Sequence, residues 1–63
     1  MLAQNIKRLR IKKKLSQEKL ARLADISYNT IVKIENEGSK NPTIQTLAKI
    51  SKALGVSVDD LIK

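Results

Sequence analysis

Apolar residues recur along this chain at the three- and four-residue spacing of helices, and no stretch alternates as a strand would. Leu2, Ile6 and Leu9 share one side of a helix predicted over about 2–13, with Lys7, Arg8 and Lys12 turned away. The run Lys12, Lys13 and Lys14 reads as the solvated end of that helix, suited to its negative pole. Leu15 turns inward, and Ser16 then caps a second helix over 17–24, with Glu18 in its first turn. Ser27 caps a third, from Tyr28 to about Asn36. A polar loop from Glu37 to Pro42 follows, with Gly38 free to take a positive φ. Thr43 caps a fourth helix whose stripe of Ile44, Leu47, Ile50 and Leu54 reads as core, and Gly55 ends it. Ser57 caps a last short helix holding Val58, Leu61 and Ile62, with Asp59 and Asp60 in its first turn. Short connections predict one compact all-α domain over 1–63. Its brief helices must rely on tertiary packing rather than propensity.

Within that frame Gln17 to Asn36 forms two helices hinged by a tight turn. Leu20, Ala24, Ile26, Ile31 and Ile34 fall where two crossing helices must touch, and Ala21 is small at the closest approach. Asp25 occupies the turning residue, and Asp is among the few non-glycine types that tolerate a left-handed backbone.

Thirteen Lys and Arg against six Asp and Glu give a formal charge of +7. That excess implies a polyanionic partner: DNA, RNA or an anionic surface. No apolar run is long enough to cross a bilayer and none follows Met1 as a signal would, so a cytoplasmic protein without a membrane partner is expected. The chain has neither cysteine nor histidine. No disulfide, thiolate metal site or neutral-pH proton shuttle is available, and no metal or cofactor is expected. A hinged helix pair in so basic a chain points to DNA.

The strings NIKRLR, LSQEKLA, ISYNTIVKIEN and NPTIQTLAKISKALGVSVDDLI together resemble the Cro and phage-repressor (Xre-type) helix-turn-helix regulators, over Ala3 to Ile62. The resemblance implies a five-helix, lambda-repressor-like DNA-binding domain whose helix-turn-helix is helices 2 and 3. It implies that helix 3 enters the major groove, and that a homodimer binds a double-stranded operator with two-fold-related half-sites. Asp25 stands where the family most often has glycine. By the same resemblance Gln17 contacts a phosphate, Arg10 and Glu35 pair, and the C-terminal Val56, Val58, Leu61 and Ile62 form the dimer contact.

Base reading needs side chains at the N-terminal end of the reading helix. Asn29 can pair bidentately with adenine, Lys33 can donate to guanine, and Thr30 can touch a thymine methyl. Tyr28 offers a ring and a hydroxyl. Gln17, Ser27, Arg10, Asn36, Ser39, Lys40, Asn41 and Thr43 are the candidate phosphate ligands, with Ser27 and Thr43 acting first as caps. Arg10 can hold Glu35 bidentately and still offer a donor to a phosphate, as a positioning device rather than a source of stability. On that reading Glu35→Gln weakens DNA binding more than it lowers the melting temperature.

Rival functions fit less well. An enzyme would need paired carboxylates, an activated nucleophile or a metal cluster, and the neighbouring Asp59 and Asp60 look like dipole partners. A protein-binding module of the same fold, antitoxin or anti-repressor in type, is the alternative, since fold alone does not fix function. An RNA or membrane-surface binder is disfavoured: the single aromatic, Tyr28, gives no stacking platform, and the apolar face of helix 1 is needed by the core. The expected function is a dimeric, sequence-specific repressor of transcription.

Overall fold

The computed structural model describes residues 2–37 and 42–62. It contains α1 (Leu2–Lys12), α2 (Gln17–Ala24), α3 (Tyr28–Glu37), α4 (Ile44–Leu54) and α5 (Val58–Ile62). The principal contacts close a ring: α1 packs on α3, α3 on α2, α2 on α4, α4 on α5, and α5 back on α1. The space inside is filled by Ile6, Leu20, Ile31, Ile34, Ile50, Leu54 and Leu61, each at most 2% exposed. Ala21 and Ala24 are buried beside them, as the crossing of α2 and α3 requires.

The starts of α2, α3, α4 and α5 each have a local cause. Ser16 accepts from the Lys19 N–H at 2.9 Å, Ser27 from Thr30 at 3.1 Å, Thr43 from Thr46 at 3.0 Å, and Ser57 from Asp60 at 3.2 Å. Asp60 returns the contact, its carboxylate accepting from the Ser57 N–H at 3.2 Å, which makes a capping box. The five residues of α5 are too few to hold a helix alone. Burial of Leu61, worth about 1.5–3 kcal/mol, supplies the rest. A bond from the Asn5 side-chain amide to the Leu61 carbonyl at 2.9 Å ties α5 to α1.

The same stop is used three times. Lys14, Asp25 and Gly55, just past α1, α2 and α4, take left-handed φ of 60°, 59° and 72°. The next residue then bonds back: Leu15 N–H to Arg10 O, Ile26 to Ala21 O, and Val56 to Ser51 O, each at 3.0 Å. Leu15, Ile26 and Val56 all pack on the core, so each stop also folds an apolar side chain inward. A β-carbon added at Gly55 would lie 3.4 Å from the Lys13 ammonium, a mobile group, so backbone strain is the main obstacle there.

One expectation about the helices is corrected. Ile44 is not core: it is 75% exposed. Its helical phase is right, but it is the first residue of α4 and overhangs the buried layer begun by Leu47. Lys12, Lys13 and Lys14 are exposed as expected, and Lys14 is in addition the left-handed residue that releases the chain from α1.

Arg10 of α1 meets Glu35 of α3 through two parallel bonds, Nε to Oε2 at 2.7 Å and Nη2 to Oε1 at 3.1 Å. The Arg10 side chain is 12% exposed and that of Glu35 only 1%. Arg10 Nη1 also donates to the Leu15 carbonyl at 2.6 Å, so one guanidinium clamps α3 and the turn after α1 together. Burial this deep gives the pair a structural role beside the positioning role expected of it. Loss of one partner leaves a buried charge unpaired, at a cost of about 3–5 kcal/mol.

Thermal melts followed by circular dichroism test both points. Asp25→Gly is expected to raise stability by about 0.5–1 kcal/mol by relieving the left-handed strain, and Asp25→Val to lower it by about 1–2 kcal/mol. An unchanged melt for the valine variant would show that the turn does not need its left-handed residue. Glu35→Ala should lose most of the domain's stability, whereas Arg10→Met combined with Glu35→Leu should recover much of it. A single variant as stable as the parent would mean that the ion pair is not a structural tie.

Candidate nucleic-acid interface

The amino ends of α2 and α3 lie side by side, because the left-handed turn at Asp25 brings α3 back across α2. Ser16, Gln17, Glu18 and Tyr28 line one shallow hollow of about 420 Å³ between those ends. Tyr28 is 50% exposed at the first position of α3. Asn29, Lys33 and Asn36, four and three residues apart, form an exposed stripe along one side of α3, opposite the buried Ile31 and Ile34. Nothing among the described residues covers the tip.

Thr30 is half-buried and differs from its neighbours. Its hydroxyl lies 2.7 Å from that of Ser27, which also caps α3. The two hydroxyls therefore hold each other, leaving the Thr30 methyl as its remaining chemistry. Thr43 is similar: its hydroxyl accepts from the Thr46 N–H and donates to the Thr46 hydroxyl, both at 3.0 Å. What α4 offers outward is its first turn of backbone N–H groups, with the exposed Ile44 beside them.

Gln17 enters through a bond the sequence gave no sign of. Its Nε2 donates to Glu35 Oε1 at 3.1 Å, beside the Arg10 clamp. A carboxylate can only accept, so the amide nitrogen of Gln17 must face Glu35, and its second N–H and its carbonyl are oriented by that contact. Three helices thus share one network, Arg10 from α1, Gln17 from α2 and Glu35 from α3. Arg10 cancels the charge of Glu35, which would otherwise repel any phosphate approaching Gln17.

The remaining sequence candidates separate. Ser39, Lys40 and Asn41, with Gly38, lie outside the described residues. Of the C-terminal set, Leu61 is fully buried in its own core and cannot face a partner as placed. Val56 and Val58 are half-buried against that core, and Ile62 is 54% exposed. No group of His, Cys, Asp and Glu able to hold a metal ion occurs among the described residues. No described helix is long and apolar enough to cross a membrane.

Comparison with known proteins agrees with this fold. A family model described as Helix-turn-helix matches residues 6–61. The control protein C.BamHI of Bacillus amyloliquefaciens is 40% identical over 98% of this chain and 76% of its own length. The transcriptional regulator SinR of Bacillus subtilis is 39% identical over 98% of this chain, which spans only 56% of SinR. A crystal structure of SinR, the master regulator for biofilm formation, in complex with DNA superposes with a TM-score of 0.94 and 38% identity, covering all of both chains. A complex of SinR with the protein SinI matches as well, with the same score, covering all of this chain and 61% of that one. The relatives named are regulatory proteins, which sets the enzyme reading aside. By the family match and the identity to these relatives, the chain belongs to the helix-turn-helix family of DNA-binding transcriptional regulators.

Proposed function

We propose that the chain acts as a homodimeric, sequence-specific repressor that reads the major groove with the amino-terminal half of α3. The carrying observation is the open tip of that helix, where Tyr28, Asn29 and Lys33 stand exposed beside the amino end of α2. Asn29 presents the donor–acceptor pair that matches adenine, and Lys33 the donor that suits guanine. Tyr28 and the Thr30 methyl supply apolar contact for thymine.

Phosphates take the flanks. Gln17 is held by Glu35 with an N–H to spare, and the first-turn N–H groups of α2 and α4 favour anions. Asn36 extends the α3 stripe toward the loop, where Ser39, Lys40 and Asn41 complete the proposed clamp on sequence grounds. Arg10 works mainly through Glu35 and Gln17, since three of its nitrogens are engaged within the chain. The +7 charge supplies the sequence-independent attraction. The exposed Ile62, with Val56 and Val58 behind it, is the part of the C-terminal set that supports a two-fold contact. A protein partner is compatible with this role, as the complex of the relative SinR with SinI illustrates for that protein.

Selection of bound duplexes from a random pool is the direct test. Two half-sites about one helical turn, roughly 34 Å, apart are expected. Recovery of sequences with no common motif would overturn the reading. On the selected duplex, Asn29→Ala should lose about 1–3 kcal/mol of discrimination at one base pair. Equal loss on random duplexes would instead make Asn29 a non-specific contact. Lys40→Ala should weaken binding to all sequences alike and flatten the salt dependence, measured as the slope of log affinity against log salt.

A further inference from the structure

We propose that the groove between the carboxyl end of α2 and the outer side of α4 is a docking site for an acidic, amphipathic segment of a partner protein. The groove has a volume of about 490 Å³. Leu23, Ala24 and Ala53 give it apolar walls, Lys49 and Lys52 stand on its α4 side, and Asp25 is its one carboxylate. Leu23 is 53% exposed, although it belongs to a helix whose other apolar residues, Leu20, Ala21 and Ala24, are all buried.

The position separates this groove from the DNA-facing tip. Gln17 begins α2 and Leu23 lies near its end, about 9–10 Å along the axis. The hollow at the amino end and the groove at the carboxyl end share no lining residue. DNA held at one end of α2 leaves the other end open.

Charge and shape select the occupant. A phosphate backbone would leave Leu23 and Ala53 without apolar contact. A second copy of the chain would bring another +7 toward Lys49 and Lys52. A helical segment with leucine-like residues on one side and carboxylates beside them satisfies both features. Its apolar side chains cover Leu23 and Ala53, and its carboxylates meet the two ammonium groups.

The test titrates the isotopically labelled full chain with a short synthetic helical peptide of glutamates with leucines along one face, followed by NMR. Shifts centred on Leu23, Lys49, Lys52 and Ala53 are expected. Leu23→Gln should weaken the peptide about ten-fold without changing affinity for the selected duplex. Asp25→Asn removes the like charge but keeps a residue type that tolerates the left-handed turn, and should tighten binding about two- to three-fold. Lys52→Gln should weaken it more than Lys7→Gln, which removes the same charge from α1. The proposal fails if no peptide binds, if shifts spread over the α1 lysines, or if Lys7→Gln matches Lys52→Gln. It also fails if Leu23→Gln weakens the duplex as much as the peptide. Melting curves establish that each variant is folded before it is scored.

Discussion

Glu35 has almost no access to water, and an isolated carboxylate in that position would be too costly to keep. Arg10 makes it tenable with two parallel bonds, and Gln17 takes the place left on Oε1. Much of the geometry of the candidate interface follows from that need. The guanidinium cannot satisfy Glu35 unless α1 and α3 lie at a fixed separation. Gln17 cannot join unless the amino end of α2 sits beside both. A charge that must be neutralised inside the fold therefore sets the relation of three helices to within a hydrogen bond. Hydrophobic packing alone would fix it less tightly, since apolar contacts tolerate small slides.

The ring of helix contacts and the repeated stop complement this. Each principal contact joins two helices, so five short elements close round one core without needing long-lived independent stability. The stops after α1, α2 and α4 turn the chain by the same backbone geometry and each drive an apolar residue back into the ring. At the starts, hydroxyl caps satisfy one N–H each and leave the others of the first turn facing outward. Structural economy at the amino ends of α2, α3 and α4 thus produces the surface chemistry that suits a phosphate backbone.

What was legible in the sequence was what depends on near neighbours. Ser16, Ser27, Thr43 and Ser57 bond three residues ahead, and their helices start where those caps predict. Asp25 announced a left-handed residue because few side chains accept one. Lys14 did the same work silently, since lysine carries no such preference and the motif is visible only in its hydrogen bonds. Ile44 shows a different limit: periodicity gives the direction of a side chain but not whether anything lies in that direction. The Gln17–Glu35 bond spans eighteen residues and the Arg10–Glu35 bonds twenty-five, so local pattern could not reveal them. The Arg10–Glu35 pair was reached by family resemblance, and its depth of burial, which decides its energetic role, was not. Leu61 likewise looked available to a partner because an apolar end on a short helix reads the same whether it covers its own core or another's.

The two ends of α2 raise the question of how strongly their occupants would feel each other. About 10 Å of helix separates them, comparable with the Debye length of about 8–10 Å at physiological to 0.1 M salt. Carboxylates docked against Lys49 and Lys52 would be largely screened from phosphates at Gln17 under those conditions. Direct electrostatic antagonism is therefore weak in physiological salt and grows as salt is lowered. Stronger coupling would have to travel through α2 itself, a short rigid element whose amino end is pinned by Glu35 and whose carboxyl end is pinned by the Asp25 turn. A partner that shifted Leu23 would strain the Gln17 contact, whereas one that merely filled the groove would leave it intact. The packed, capped ends of α2 favour the second outcome, in which a regulator bound at this groove accompanies the protein on DNA rather than removing it.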